Sequence, residues 1–549
     1  HNLQATSGRV EESVARNMTS APAPNSPSTA RRQPRAGLWI ALIAFGFAAI
    51  LLAPTPTGMQ PEAHRLVAVT FLMAGLWVTQ AVPLAATSLL PLALFPLLGI
   101  QSASDVSKAF INHYVFLYLG GFVIALSIER WNLHRRIALN IVNIVGAKPR
   151  QLVLGFLLAT AGLSMWISNT ASALLMLPIA IALLKTMEDE DTSRESGQPN
   201  VLAVPLLLAI AYSASIGGMT TIVGTPTNNA AVGIYRRLIP EGDEISVAKW
   251  MIACVPIGAL YLAIAWLVLT WTLPRSTDRD AAMKEQLSTR LKNLGRMTAA
   301  ESRVLVIFAA TAVLWIFRNP LEIGGVQLLP GWSELVPRWF AWMGHTPLAE
   351  GKKLDGFVND STVAIVLAVL LFFLPSGTKS EDGRSVPLMD WDTAKKLPWD
   401  IMLLFGGGFA LAGAFDQSVT GLAGWIGNAL EGPLKGQPAW VVIAVTCFLM
   451  TFLTEFTSNV ATVSTILPSL LLMAEPLGMD ERLLMIPATL ATSCAFMLPI
   501  ATPPNAIVFG SGRIQVRDMV RYGLLLNLVG VPILTASTYL LIKPLMGIP

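Results

Sequence analysis

The chain has 549 residues, of which 53% are hydrophobic and 13% are charged, and its mean hydropathy is +0.58. An ordinary soluble domain carries about 25% charged residues, so this composition excludes a soluble globular protein. The formal net charge is only +4, and the basic residues cluster in loops between apolar runs, so no nucleic-acid partner is expected.

Residues 1–35 differ from the rest of the chain because they are polar, rich in Ser, Ala, Pro and Arg, and without a helical period. Such a segment cannot bury enough apolar surface to fold, which predicts a disordered N-terminal tail. No short apolar core with a cleavage site precedes Arg31, so a signal peptide is not expected. Met18 has the character of a natural start, which leaves the origin of residues 1–17 open.

Apolar runs of spanning length recur from residue 36 to the C-terminus, for example GLWIALIAFGFAAILLAP and IGALYLAIAWLVLTWTL. A helix that crosses the hydrocarbon core needs about 17–25 residues, whereas a β-barrel would show short segments of alternating polarity. The sequence therefore predicts an all-α polytopic membrane protein with about 11 transmembrane helices, located in the cell inner (plasma) membrane.

Basic residues lie beside the first span and again within 130–150, 275–296 and 513–521. Short loops rich in Lys and Arg stay in the cytoplasm, which places the N-terminus on the cytoplasmic side. The span count agrees with this rule only if segments 151–187 and 440–477 each enter and leave the membrane on one face. We therefore expect two re-entrant hairpins, whose irregular tips must be buried in protein or face a wet cavity.

The two expected hairpins are near copies of each other. MWISNTASALLMLPIA (165–180) and FTSNVATVSTILPSL (456–470) each place Leu-Pro eight residues after the Asn of a Ser-Asn pair. Polar breaks follow around 213–230 and 491–512, and both contain Thr-Pro-x-Asn. Ordinary spans with buried Ser and Asn are the alternative. Two matched copies instead favour an inverted-topology repeat, which holds substrate and coupling ions at its interface near the membrane midplane.

The residue types at the tips and breaks indicate what could bind there. Pro in mid-span frees backbone carbonyl groups, and carbonyl, hydroxyl and amide oxygens are hard ligands that suit Na⁺. Half-helix N-termini suit an anion, although no cation for a carboxylate is evident near the tips. Glu129, Asp416 and Glu455 lie at or within spans, where they are either proton relays or structural and interfacial charges.

The paired Ser-Asn tips, the Gly-Thr-Pro-x-Asn break and the run ATPPNAIVFGSG resemble the divalent anion/sodium symporter family, the INDY-like di- and tricarboxylate transporters. The resemblance extends from about Leu38 to the C-terminus. It implies a homodimer with an elevator mechanism, in which a scaffold domain holds the dimer and a transport domain carries the substrate across the membrane.

The resemblance also implies a division of the chain. Its parts are the tail (1–35), the first half of the scaffold domain (36–149), the first half of the transport domain (150–274), a cytoplasmic linker (275–302), the second half of the scaffold domain (303–435) and the second half of the transport domain (436–549). The external insert 319–360 is unusual for the family. Its Trp332, Trp339 and Trp342 predict an amphipathic piece on the membrane surface rather than a lid.

Binding residues are implied by the resemblance position by position. The first sodium site is implied at Ser164, Ser168, Asn169 and the Gly224 backbone. The second sodium site is implied at Thr454, Thr457, Asn459 and Ala501. The substrate carboxylates are implied to meet Ser168, Asn169, Thr170, Thr225, Ser458, Asn459, Thr502 and Pro503. The second tip departs from the family pattern at Val460, where a Thr would add a hydroxyl, so the substrate range stays open.

The function expected from these features is sodium-coupled import of C4-dicarboxylates, such as succinate, fumarate and malate, or of related di- and tricarboxylates. A sodium-independent exchanger of dicarboxylates, 2-oxoglutarate or citrate is the alternative within the same family. A channel is a further possibility, but two matched hairpins around a central site fit an alternating-access transporter better. An intramembrane enzyme would need a motif such as His-Glu-x-x-His or Gly-x-Ser-x-Gly, and the sequence has neither. Na⁺ is the expected coupling ion, without an organic cofactor.

Overall fold

The computed structural model describes residues 36–189, 201–276, 280–323, 326–336, 358–380, 382–416, 418–426 and 436–548, and the single positions 339, 342 and 429. The predicted tail (1–35) lies outside these residues, and so does half of the insert 319–360, mainly 343–357. The fold is mostly helical (72%).

The helices before the cytoplasmic linker occupy most of the first half of the chain. In chain order they are α1 (Ala36–Leu52), α2 (Pro61–Thr79), α3 (Leu84–Ser88), α4 (Leu90–Leu97), α5 (Ala103–Phe110), α6 (His113–Arg130), α7 (Leu133–Val145), α8 (Pro149–Ser164), α9 (Asn169–Asp189), α10 (Ala203–Gly218), α11 (Pro226–Leu238) and α12 (Val247–Thr270).

The rest of the chain combines helices with two short β-hairpins. Its elements are α13 (Asp280–Asn293), α14 (Ala299–Ile316), β1 (Leu321–Ile323), β2 (Val326–Leu329), a 3₁₀ turn (Trp332–Leu335), α15 (Asp360–Phe373), β3 (Pro375–Lys379), β4 (Ser385–Pro387), α16 (Trp391–Ala394), α17 (Trp399–Ala414), α18 (Ala439–Thr454), α19 (Asn459–Leu472), α20 (Arg482–Thr492), α21 (Pro503–Phe509), α22 (Val516–Ser537), a π-turn (Thr538–Ile542) and α23 (Lys543–Leu545).

Four helical stretches of the described residues are long and apolar enough to cross a membrane by themselves: Ala103–Arg130, Val247–Thr270, Ala299–Ile316 and Val516–Leu545. Further apolar helices of 10–17 residues, such as α1, α10, α17 and α18, are shorter. A residue adds about 1.5 Å to a helix, so these shorter helices reach across the hydrocarbon core only partly. The figure of about 11 spans therefore stays a prediction.

The all-α expectation misses the two β-hairpins. Strands β1 and β2 pair antiparallel, and so do β3 and β4. In the second hairpin the turn contains Asp382-Gly383, with Gly383 at a φ of +74°. A positive φ favours glycine, and Asp-Gly is a recognised hairpin-turn pair. The hairpin lies between α15 and α16, next to the turn that ends α6.

Two helix–turn–helix units and two broken helices form the centre of the molecule. Four residues separate the end of α8 from the start of α9, and four residues separate α18 from α19. The breaks separate α10 from α11 and α20 from α21. Each break ends in Thr-Pro: Thr225 and Thr502 are extended, with φ near −140°. Proline disfavours helical geometry in the residue before it and is well placed as the first residue of a helix.

The two halves of the chain pack across each other at this centre. Helix α9 of the first half contacts α21 of the second, and α19 of the second half contacts α11 of the first. Within each half, α8 packs on α10 and α18 packs on α20. The two helix–turn–helix tips therefore lie next to both breaks.

Candidate functional site

A cavity of about 930 Å³ lies between the two tips and the two Thr-Pro breaks. It is lined by every residue that the sequence assigns to the substrate: Ser168, Asn169, Thr170, Thr225, Ser458, Asn459, Thr502 and Pro503. Thr457 and Ala501 of the second predicted sodium site also line it. The structure thus brings residues that are up to 335 positions apart (168 to 503) onto one wall.

The first tip is held by a hydroxyl that meets two acceptors. Ser164 Oγ lies 2.7 Å from Asn169 Oδ1 and 2.7 Å from the carbonyl oxygen of Ala214. A serine hydroxyl has one proton to donate, so three oxygens share that proton. Ser164 lies behind the cavity wall and is fully buried.

The second tip repeats this arrangement. Thr454 Oγ1 lies 2.7 Å from Asn459 Oδ1 and 3.2 Å from the carbonyl oxygen of Thr492. The hydroxyl and the Asn are again five positions apart, and the third oxygen again comes from the helix before the break. Thr457 shares a 2.6 Å hydrogen bond with Thr462 one turn further on.

In each break, an asparagine side chain donates hydrogen bonds to backbone carbonyl groups on the other side of the break. Asn228 Nδ2 donates to the carbonyl oxygens of Gly218, at 3.2 Å, and Thr221, at 2.7 Å. Asn505 Nδ2 donates to those of Ala495 and Leu498, both at 3.0 Å. The acceptors lie ten and seven positions before the asparagine in both halves. The Oδ1 atoms of both asparagines are buried and have no hydrogen-bond partner among the described residues.

Gly224, the fourth residue of the first predicted sodium site, lies behind the cavity wall. A Cβ atom at this position would lie 2.6 Å from the carbonyl oxygen of Gly218 and 2.9 Å from that of Ser164. Backbone oxygens from the tip and from the break therefore converge beside Gly224. Such a group of oxygens fits a small hard cation.

Three longer helices begin at the cavity. Asn169, Pro226 and Asn459, the first residues of α9, α11 and α19, all line it. Free backbone N–H groups and the helix dipole make such N-termini favourable for anions. Helix ends that favour an anion therefore meet at the cavity, and oxygens of a type that suits a cation lie behind the tips.

Charged residues outside the tips also reach the cavity: Lys396 and Asp400 were not predicted, whereas Glu129 was named from the sequence as a proton relay or an interfacial charge. Lys396, Asp400 and Glu129 line the cavity, so its wall does carry a cation, contrary to the sequence-based expectation. Lys396 follows Lys395 in a short polar stretch and is exposed, a pattern that is typical of an ordinary basic loop. Asp416, which the sequence singled out together with Glu129, instead accepts hydrogen bonds from Ser418 in its own turn.

The loop that supplies Lys396 is fixed to the end of α6. Arg130 pairs with Asp390 at 2.6 Å and donates to Thr393 Oγ1 at 3.1 Å, and Trp131 Nε1 donates to the Leu388 carbonyl. Burial raises the pKa of Asp390, but the hydrogen bonds from Thr393 and the Arg130 guanidinium outweigh burial and hold that pKa below its usual value. The carboxylate therefore stays ionised at neutral pH and keeps its pairing with Arg130.

Apolar helices surround a cavity whose polar groups come largely from two matched tips, an arrangement typical of a membrane transport protein. Residues 36–548 match the family model described as the sodium:sulfate symporter transmembrane region. The chain belongs to this family, the divalent anion/sodium symporters, as its sequence motifs predict. The family consists of transporters, so the prediction that the protein is not an enzyme is confirmed.

The similar proteins include bacterial transporters and two solved structures. The chain is 37% identical over 513 residues to the sodium-dependent dicarboxylate transporter SdcS of Staphylococcus saprophyticus, covering 91% of this chain and 90% of that protein. It is 38% identical over 504 residues to SdcS of Staphylococcus aureus, with the same coverage.

The two solved structures are similar to this chain in fold alone. MtrF of Neisseria gonorrhoeae aligns with a TM-score of 0.50 and 12% identity, over 92% of this chain and 93% of MtrF. The YdaH transporter of Alcanivorax borkumensis aligns with the same score and identity, over 93% and 98% of the two chains.

Proposed function

We propose that the protein is a sodium-coupled symporter that imports C4-dicarboxylates such as succinate, fumarate and malate, or related di- and tricarboxylates. The observation that supports this most is the convergence of both Ser-Asn tips and both Thr-Pro breaks on one cavity. The names of the SdcS relatives, which are sodium-dependent dicarboxylate transporters, point to the same ion and substrate class.

The substrate lies between the tips. Its carboxylates accept hydrogen bonds from Ser168, Thr170 and Ser458, from the amides of Asn169 and Asn459, and from the N-terminal backbone of α9, α11 and α19. Thr225, Thr502 and Pro503 close the site on the side of the breaks. Neutral donors suit a transporter, because they hold the dianion without the strong pairing that would slow its release.

The sodium ions lie behind the tips. One ion is held by Ser164, Ser168, Asn169 and Gly224, and the other by Thr454, Thr457, Asn459 and Ala501. The oxygen triads at Ser164 and Thr454 support this placement, since each has one proton for two acceptors. A cation bound between the three oxygens would attract all of them and offset the repulsion between their lone pairs.

The tips and breaks move together, as a transport domain within a homodimer whose scaffold domain stays fixed. The cavity includes Lys396 and Asp400, next to the loop fixed to Arg130. This face carries the basic loops, which the positive-inside rule places in the cytoplasm of a plasma-membrane protein. These contacts support our proposal that this conformation represents an inward-open state of an alternating-access cycle.

The test is succinate uptake into proteoliposomes, with and without an inward Na⁺ gradient, followed by competition with fumarate, malate, 2-oxoglutarate and citrate. We expect uptake that needs Na⁺ and rises sigmoidally with its concentration if several ions bind cooperatively. Equal uptake in Na⁺ and choline buffers, with strong stimulation by internal dicarboxylate, would instead identify an exchanger.

A further inference from the structure

Glu455 is a buried acid directly after the second tip's hydroxyl residue, and it is 1% exposed. Its Oε1 accepts from the Met497 backbone N–H at 2.9 Å and from Asn527 Nδ2 at 2.6 Å. Its Oε2 accepts from the Leu498 backbone N–H at 3.0 Å. Both oxygens accept, which is the pattern of an ionised carboxylate. The side chain therefore joins the end of α18 to the second break and to α22.

The first half joins its tip to its break with different groups. The residue that matches Glu455 is Met165, whose side chain offers no comparable acceptor. Instead the Thr221 hydroxyl, which belongs to the break, donates to the Met165 carbonyl at 2.5 Å and accepts from the Gly224 backbone N–H at 2.9 Å. A side chain of the break reaches the tip in one half, and a side chain of the tip reaches the break in the other.

We propose that Glu455 is a positioning residue for the second sodium site, and that Thr221 has the same role at the first. This inference rests on the proposed function, because it requires sodium at both tips. Each site takes ligands from two segments: Thr454, Thr457 and Asn459 come from a tip, whereas Ala501 comes from a break. Ligands on separate segments keep their spacing only when a further set of contacts fixes those segments to each other.

The two connections differ in strength. Glu455 receives three hydrogen bonds on a charged group, and charge-assisted bonds are roughly twice as strong as neutral ones. Thr221 makes two bonds with a neutral hydroxyl. Loss of the Glu455 carboxylate should therefore disturb sodium binding more than loss of the Thr221 hydroxyl.

The experiment uses the full chain in proteoliposomes and succinate as the probe, with Glu455→Gln as the main variant. Gln keeps the shape of Glu but turns one acceptor into an NH₂ donor that faces a backbone N–H or the Asn527 amide. We expect the Na⁺ concentration for half-maximal uptake to rise about tenfold or more. The succinate KM at saturating Na⁺ should change less than about twofold, because the substrate contacts stay in place.

Two matched variants distinguish a positioning role at the sodium sites from a general loss of folding or activity. Thr221→Val removes the connection of the first half, and Asn527→Ala removes one of the three bonds to Glu455. Both should raise the half-maximal Na⁺ concentration, by about three- to fivefold, and both should leave the succinate KM unchanged. All variants are first compared by gel filtration and thermal unfolding in detergent.

The proposal is overturned if Glu455→Gln folds and keeps the wild-type Na⁺ dependence, or if it weakens Na⁺ and succinate equally. If Glu455→Gln does not fold, unchanged Na⁺ dependence in both Thr221→Val and Asn527→Ala overturns it. A wild-type protein whose uptake ignores Na⁺ would contradict the proposed function itself, and the inference with it.

Discussion

The two halves of the molecule line the cavity with the same elements, but the tip and the break are packed more closely in the first half than in the second. At the first break, Cβ atoms added to Gly218 and Gly224 would lie 2.3 Å from Asn169 Oδ1 and 2.6 Å from the Gly218 carbonyl. The matching positions of the second break are Ala495 and Ala501, which carry a Cβ within the same fold. The repeated motif thus gives both halves the same backbone path. The distance between tip and break depends on whether Gly or Ala occupies the matching positions.

The largest effect should come from the residues that the halves share. Asn169→Ala and Asn459→Ala each remove an amide that contacts a buried hydroxyl at 2.7 Å and lines the cavity. Leaving buried polar groups unpaired costs about 1–3 kcal/mol for each contact, and both ion and substrate lose contacts. We expect uptake to fall at least about a hundredfold in either variant.

Asn140→Ala is the matched control for these two variants. Within the described part of the chain, the Asn140 amide donates only to the Arg136 carbonyl of its own helix and does not line the cavity, so uptake should stay near the wild-type rate. Initial rates of labelled succinate uptake, normalised to reconstituted protein, give the comparison. Near-normal uptake in Asn169→Ala or Asn459→Ala would contradict a site built from two tips.

A second prediction exchanges the residues in which the breaks differ. Gly224→Ala places a Cβ against two backbone oxygens that cannot move without shifting the first tip, so uptake should fall by about tenfold or more. Ala501→Gly removes a Cβ from the second break and adds backbone freedom, which costs only about 0.5–1 kcal/mol. Its uptake should stay within about threefold of wild type.

Equal effects of the two exchanges would show that the first half is not the more tightly packed one. Stability is measured in parallel, since a large drop in thermal unfolding temperature for Gly224→Ala would assign its loss of uptake to misfolding. The expected result is a folded protein with normal elution in gel filtration and a weak response to Na⁺.

Sequence alone predicts the parts of this molecule that depend on local chemistry. Family membership follows from short motifs and is confirmed by the comparisons. The points where helices begin after Ser168, Thr225, Ser458 and Thr502 can be read from Pro and Asn, because these residues limit backbone geometry nearby. Among the described residues the all-α expectation fails at two short hairpins, one of which carries an Asp-Gly turn that was overlooked.

Contacts between residues that are far apart in the sequence cannot be predicted from local patterns. Lys396 reaches the cavity because its loop is fixed to Arg130, more than 250 positions away. Glu455 could be noticed as an acid beside a tip, but its partners Met497 and Asn527 are 42 and 72 positions distant. Nothing in the local sequence specifies these pairs, so the role of such residues becomes visible only in the fold.

A third prediction tests whether the two hydroxyl triads are equivalent. Ser164→Ala and Thr454→Val each remove the proton donor of a triad while leaving its Asn in place. Each variant should raise the half-maximal Na⁺ concentration about three- to tenfold without changing which acids compete with succinate. K⁺ should substitute poorly in wild type and variants alike, because it is too large for a compact oxygen cage. A changed competition profile with normal Na⁺ dependence would place the hydroxyls at the substrate instead.

The smallest effect is expected where the tips themselves differ, at Thr170 of the first and Val460 of the second. Both line the cavity in the first turn of α9 and α19, but only Thr170 offers a hydroxyl. Val460→Thr adds a donor of similar size at the substrate's edge, so transport should persist while the relative affinities for citrate and the C4-dicarboxylates shift about two- to fivefold. Thr170→Val should produce a shift of similar size on the other side of the substrate. Competition against labelled succinate measures both variants, and a profile unchanged in Val460→Thr but altered in Thr170→Val would mean that the first tip alone selects the acid.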